Sequence, residues 1–260
     1  MPEGDVVWQT ARRLHQALAG RTLTRSDFRV PQLATADLTG DVVVETVSRG
    51  KHLLTRTGNG LTVHTHLRMD GSWRVRPAAE RMADSHQIRL VLANDDWRAT
   101  GIKLGVVELI KTSEEQQVTG HLGPDLLGPD WDCAEAVRRL SAEPSRPIGE
   151  ALLDQRNLAG IGNVYKAELL FLRGVSPWRP VSAVPDLGAM ARLARRLLDA
   201  NKERHGHITT GRLRRGEEHW VYGRRGRPCR RCGTPVRSAG QQDRIIYWCP
   251  SCQPAADPAS

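Results

Sequence analysis

The sequence predicts an α+β chain: an N-terminal β-sandwich or barrel-like sheet flanked by helices, a helical second domain, and a C-terminal β-hairpin between cysteines. Three observations predict it. Between 41 and 110 the chain is a series of short β-rich runs. Near 122–131 the pattern changes to helical spacing. Four of the five cysteines fall in two close pairs at the C-terminal end.

Residues 5 to 19 are expected to form a helix: Val6, Val7, Thr10, Leu14 and Leu18 recur at helical spacing, and Asp5 can cap the start. Strands follow at 41–47, 52–56, 61–67, 72–76, 87–92 and 105–110. Turn signals such as Gly58-Asn59-Gly60 and Asn94-Asp95-Asp96 separate several of them, the habit of a sandwich or barrel. The segment LGPDLLGPDW at 122–131 holds two Gly-Pro-Asp triplets and reads as a linker. Helical patterns then occupy 133–141, 149–157, 163–173 and 186–203, and 204–228 is basic and glycine-rich. The expected domains are 1–121, a linker at 122–132, 133–218, a cysteine-bearing finger at 219–253 and a disordered tail at 254–260.

Charge narrows the partners. The chain carries 38 Lys and Arg against 29 acidic residues, a net +9 with a pI near 9.9. Its distribution matters more: 202–231 holds 10 Lys/Arg and 3 Asp/Glu, a local +7. That suits a surface tracking phosphates, although a solvated face of an arginine-rich protein gives the same count. No stretch approaches the roughly 18 apolar residues of a membrane helix. The start MPEGDVVWQTARRL is polar and unlike a signal peptide, so a soluble cytoplasmic protein is expected.

Three motifs carry chemistry. Cys229-x2-Cys232 and Cys249-x2-Cys252 flank 16 residues that read as a β-hairpin. Four thiolates in close pairs match tetrahedral Zn2+, and a site with all four positions filled is structural. An Fe–S cluster or an unmetallated remnant is the other reading. Cys133 stands alone and is expected to be an inert buried thiol. The second motif, LLDQRNLAGIGNVYKAELLF at 152–171, sets two amphipathic segments about Ala159-Gly160-Ile161-Gly162. Asn163 can cap the second segment, and a helix start beside glycines is a natural phosphate seat. An ordinary helical hairpin has the same spacing. The third motif is Met1-Pro2-Glu3-Gly4. Removal of Met1 exposes a secondary amine whose pKa is expected not far from the α-amino reference of about 7.7–8.0. Such an amine can attack a sugar carbon and form an iminium, with Glu3 as proton shuttle.

With these motifs in order and spacing, the chain resembles the Fpg/Nei family of DNA glycosylases over nearly its whole length. Gly50-Lys51, HLRMDG at 66–71 and YWCPSCQ at 247–253 add to the resemblance. It implies a helix–two-turn–helix domain around Asn163 and a zinc-finger hairpin holding one structural Zn2+. It implies a bifunctional DNA glycosylase/AP lyase of base excision repair. Pro2 would attack C1′ of the damaged nucleotide, and Glu3 would help open the sugar ring as proton donor. Lys51, one of only 5 lysines, matches the hairpin lysine that contacts phosphate near Pro2. Asn163 and Arg244 match the pair gripping phosphates that flank the lesion, and Glu168 matches a supporting glutamate near that site. Arg68-Met69-Asp70 occupies the wedge loop, with Met69 as the plug where the nucleotide is extruded; a core methionine is the plain alternative. The implied partner is damaged DNA, bound by a cytoplasmic, nucleoid-associated monomer without a small-molecule cofactor.

The chain departs from the 8-oxoguanine branch of that family at 100–105. Ile102 and Leu104 stand where an arginine and a phenylalanine would contact the opposite base, and an aliphatic residue cannot hydrogen-bond a cytosine edge. With the Pro-Glu-Gly-Asp start, this favours the endonuclease VIII branch and oxidised pyrimidines. The competing expectations are an Fpg-type 8-oxoguanine glycosylase, a non-catalytic protein that binds damage or abasic sites, and a general zinc-ribbon protein, which leaves Pro2-Glu3 and Lys51 unexplained.

Overall fold

The computed structural model describes residues 2–81, 83–204 and 206–255, and the chain divides into two compact units, Met1–His121 and Leu122–Ser260. In the first, α1 (Gly4–Leu18) buries Val7, Ala11, Leu14 and Leu18, a stripe at helical spacing. The strands are β1 (Arg25–Phe28), β2 (Val43–Arg49), β3 (His52–Thr57), β4 (Leu61–His66), β5 (Ser72–Pro77), β6 (Ile88–Ala93), β7 (Trp97–Ile102) and β8 (Val106–Lys111). They form two four-stranded antiparallel sheets, ordered β1-β6-β7-β5 and β2-β3-β4-β8. Leu53 and Val63 of one sheet and Leu90, Leu92 and Ala99 of the other meet the α1 stripe in one apolar core. A short α2 (Gln116–Thr119) closes the unit.

The second unit holds α3 (Cys133–Leu140), α4 (Ile148–Ala151), α5 (Asn163–Arg173) and α6 (Leu187–Asn201), then the hairpin of β9 (Arg237–Gln241) and β10 (Arg244–Trp248). The Asp132 carboxylate accepts from the amides of Ala134 and Glu135 at the start of α3, and Asp186 accepts from Ala189 at the start of α6. Ile148, Leu152, Tyr165, Leu169, Met190 and Leu198 fill the main helical core. A smaller core joins Ala167 and Phe171 of α5 to Val221, Val236 and Ile246 beside Cys229 and Cys249.

The α+β class, the sandwich and the hairpin between cysteine pairs match expectation; several details do not. Strands β1 and β7 were not foreseen. The helix expected at 149–157 stops at Ala151, because Asp154 takes the Arg156 amide into a local turn and Asn157 ties back to the Ala151 carbonyl. Asp5 lies inside α1, and Glu3 holds the cap position. Gly162, not Asn163, precedes α5 at its cap. Cys133 is half-buried, with its sulfur 3.8 Å from the Gly188 carbonyl oxygen. The 122–131 segment is no free linker: Leu122–Leu126 is buried, and Ala159 exchanges backbone bonds with Pro124 and Leu126. Of the tail expected at 254–260, residues 256–260 lie outside the described residues.

Candidate functional site

In the first unit, Pro2 is half-buried immediately before α1. Glu3 is fully buried at the cap position, yet its side chain makes no capping bond; its carbonyl accepts from Val7 at 3.0 Å. Lys51 lies in the two-residue turn joining β2 to β3, beyond the Arg49–His52 pair. Gly50 supplies the left-handed backbone (φ 57°) at the first turn position, where a side chain would be strained.

The loop after β4 carries Arg68 and Met69. Met69 is 49% exposed, which removes the core-methionine alternative. Arg68 has φ 53°, and its amide donates to His66 Nδ1 at 2.9 Å. The base of its side chain presses on Gly105, where a Cβ would come within 2.2 Å of Arg68 Cγ. Of the stretch 100–105, residues 100–102 end β7, 103–105 turn into β8, and Leu104 is buried in the core.

In the second unit, Asn163 begins α5, and its Nδ2 donates to the Ile245 carbonyl at 2.8 Å. Arg244 is the neighbour of Ile245 at the start of β10, with Nε 3.4 Å from the Asp243 carboxylate. Residues 81 apart in sequence are thus set side by side by one hydrogen bond. The expectation for Glu168 needs correction. It is fully buried, so direct contact with a nucleic acid is closed to it. Its carboxylate accepts from the amides of Trp220, Val221 and Tyr222 at 2.7, 2.9 and 2.8 Å, and from the Thr209 hydroxyl. It braces the 209–222 loop.

Sequence reasoning also missed two kinds of support. Gln155 pins the glycine turn before α5, with Nε2 donating to the Leu153 and Ile161 carbonyls and Oε1 accepting from the Gly160 amide. Several arginines of the basic stretch are spent internally. Arg224 donates to the Trp220 and Pro228 carbonyls and Arg230 to those of Gly216 and His219, while the Arg231 guanidinium lies 4.5 Å from the Phe171 ring centroid.

The four cysteines Cys229, Cys232, Cys249 and Cys252 bring their sulfurs within 4.8 Å of one another, with Cys229–Cys252 at 3.9 Å and Cys232–Cys249 at 3.5 Å. This cluster can hold a metal ion. No helix among the described residues is long and apolar enough to cross a membrane.

Fold and site together define a DNA-glycosylase scaffold, and comparison with known proteins agrees. Residues 1–103 match the formamidopyrimidine-DNA glycosylase N-terminal domain and 122–206 the formamidopyrimidine-DNA glycosylase H2TH domain. The "Probable endonuclease 8 2" of Streptomyces coelicolor is 58% identical, covering 99% of this chain and 96% of its own. The "DNA-(apurinic or apyrimidinic site) lyase Nei2" of Mycolicibacterium smegmatis is 48% identical over 98% of this chain and all of its own. Among solved structures, MutM in complex with DNA containing carbocyclic 8-oxo-G superposes with a TM-score of 0.84 at 24% identity, covering 98% of this chain and 100% of that one. The chain belongs to the formamidopyrimidine-DNA glycosylase/endonuclease 8 family.

Proposed function

We propose that the chain is a bifunctional DNA glycosylase and AP lyase of base excision repair, acting as a cytoplasmic, nucleoid-associated monomer on oxidised bases, pyrimidines foremost. One observation carries the reading: the Glu3 carboxyl is fully buried beside Pro2 and is not spent on capping α1. A carboxyl held directly beside Pro2 is placed to hand a proton on as the sugar ring opens.

Once Met1 is removed, the Pro2 nitrogen bonds to C1′ as the damaged base leaves. A proton from Glu3 goes to the sugar ring oxygen, the ring opens, and a C1′ iminium remains on Pro2. Loss of a C2′ proton then expels the 3′ phosphate and nicks the strand. The name of the Mycolicibacterium smegmatis relative supports the lyase half. In this reading Lys51, Asn163 and Arg244 hold phosphates, and Met69 with Arg68 fills the space of the extruded nucleotide. Glu168 acts through the loop it braces. The aliphatic character of Ile102 and the burial of Leu104 offer no hydrogen bond to the opposite base, which supports the pyrimidine branch.

One structural zinc ion at the four thiolates fits the cluster. Zinc–sulfur bonds of about 2.3 Å give a tetrahedron with edges of about 3.8 Å, against the 3.5 and 3.9 Å of the two pairs. Hydrogen bonding to Thr234 holds the Cys232 thiol down at about 6, whereas burial pushes Cys249 up and Cys252 up to about 12. A divalent cation is what would let all four ionise together. The metal would fix the β9–β10 hairpin and hence Arg244.

Borohydride trapping tests the nucleophile. Reduction on abasic or lesion-bearing DNA is expected to crosslink the chain at residue 2, and an N-terminal tag that blocks the amine is expected to abolish trapping while DNA binding persists. A crosslink mapped to Lys51 or another lysine would overturn the Pro2 assignment.

A further inference from the structure

Four histidines of the first unit meet where its two candidate DNA-contacting loops begin. His52 directly follows Lys51, and His66 opens the loop of Arg68 and Met69. The His52 ring stacks on His64 (centroids 5.1 Å apart, planes at 17°) and stands edge-on to His66 at 5.0 Å and to His121 at 6.1 Å. His52 Nδ1 lies 2.8 Å from His64 Nε2, and His64 Nδ1 lies 2.8 Å from a Glu108 carboxylate oxygen. The motifs read from the sequence leave this cluster without a role.

Where each imidazole carries a single proton, the hydrogen-bond partners of His64, His52 and His66 assign its place. A carboxylate only accepts, so His64 Nδ1 carries the hydrogen and its Nε2 is the acceptor. His52 must therefore donate through Nδ1, leaving its Nε2 bare. This is the reverse of the tautomer a free histidine side chain prefers. His66 is fixed the opposite way: its Nδ1 accepts the Arg68 amide, so its hydrogen sits on Nε2. Arg68 holds a left-handed backbone at φ 53°, an unfavourable conformation for a residue with a side chain, and that amide bond is part of what retains it.

We propose that His52, oriented by His64 and Glu108, is a positioning residue that couples the Lys51 turn to the Met69 loop by packing a tautomer-locked, neutral ring against His66. Burial and the surrounding basic groups hold His52 down at about 3 and His66 down at about 4, so both stay neutral at physiological pH. The groups that act on the two rings are His64, His121, Arg68 and Lys51; on the far side of His64 lie Glu108 and, within its electrostatic reach, Glu115.

The proposal rests on the reading of Lys51 and Met69 as DNA-contacting residues, so its test has one arm without DNA. Nitrogen-15 NMR of the full-length, zinc-loaded protein at pH 7 is expected to show Nδ1–H tautomers at His52 and His64 and Nε2–H at His66. An Nε2–H tautomer at His52 overturns the proposal. The second arm compares His52→Asn, whose amide can still donate to His64 in place of Nδ1–H, with His52→Phe, which keeps a ring but no donor. Single-turnover excision of a paired lesion is expected to fall about tenfold in His52→Phe and to recover to within about threefold of wild type in His52→Asn, with borohydride trapping on abasic DNA retained in both. If the phenylalanine variant matches or exceeds the asparagine variant, the ring only fills space and the proposal fails. If wild-type protein is not trapped at all, the glycosylase reading fails while the tautomer result stands.

Discussion

Replacing Glu168 by glutamine changes one oxygen to an amide nitrogen at nearly constant volume. The carboxylate now takes four donors: Val221 and Tyr222 amides on Oε1, and the Trp220 amide with the Thr209 hydroxyl on Oε2. In the variant one of these pairs faces an NH2 group, which donates rather than accepts. Bonds to a charged acceptor contribute about 1.5–3 kcal/mol each, and the remaining pair loses its charge assistance. A local loss of about 3 kcal/mol follows from the geometry. Amide hydrogen exchange reads it directly: 3 kcal/mol is roughly a hundredfold in opening equilibrium, so protection at Trp220, Val221 and Tyr222 is expected to drop by about that factor. The salt dependence of DNA binding is expected to keep its slope, since Glu168 is too deeply buried to meet phosphate. Unchanged protection at those three amides, or a changed slope, would refute the assignment of Glu168 as a brace.

Arg244→Ala is expected to weaken binding to all DNA and to lower the salt slope by about one ion; an unchanged slope excludes a phosphate contact. Cys249→Ser is expected to lose the metal and DNA affinity while Met1–His121 stays folded, because the finger is too short for its own core; metal analysis with circular dichroism checks it. Acid should destabilise the first unit through its histidines. With His52 and His66 held at about 3 and about 4, the unfolded chain takes up protons below the ordinary value of 6.5 that the folded chain refuses. Stability is therefore complete above 6.5 and falls as pH drops, by about 2 kcal/mol per histidine at pH 5. Denaturant unfolding of His52→Phe should lose about that much less between pH 7 and pH 5, and an identical loss counts against the burial assigned to the ring.

The sequence was most legible where a motif needs few residues close together. The cysteine pairs and the helix over 163–173 are local signals, and both stand where spacing put them, with the cap at Gly162 rather than Asn163. What escaped depends on distant partners. Strand β1, Arg-Ser-Asp-Phe, is a short polar edge that earns no β signal, and β7 runs through Thr100 and Gly101 without alternation. Glu168 sits on a helix whose pattern gives no hint that a loop some fifty residues later returns to it. Most of the histidine cluster draws on β3, β4 and β8, where strand register sets His52 opposite His66 and His64 opposite Glu108, while His121 joins from the segment after α2.

The internal duties of Arg224, Arg230 and Arg231 recast the composition. Of 38 basic residues 5 are lysine, which leaves 38 − 5 = 33 arginines. Charge alone does not distinguish the two side chains, but the 209–231 stretch does. It has little regular structure, so its carbonyls need donors from outside the backbone ladder. A guanidinium reaches two carbonyls at once with a flat, rigid fork, as Arg224 and Arg230 do; an ammonium on a flexible stem holds neither angle. Part of the arginine excess is therefore scaffolding for an irregular loop. A lysine-for-arginine exchange across this stretch would conserve every charge and still unlace it.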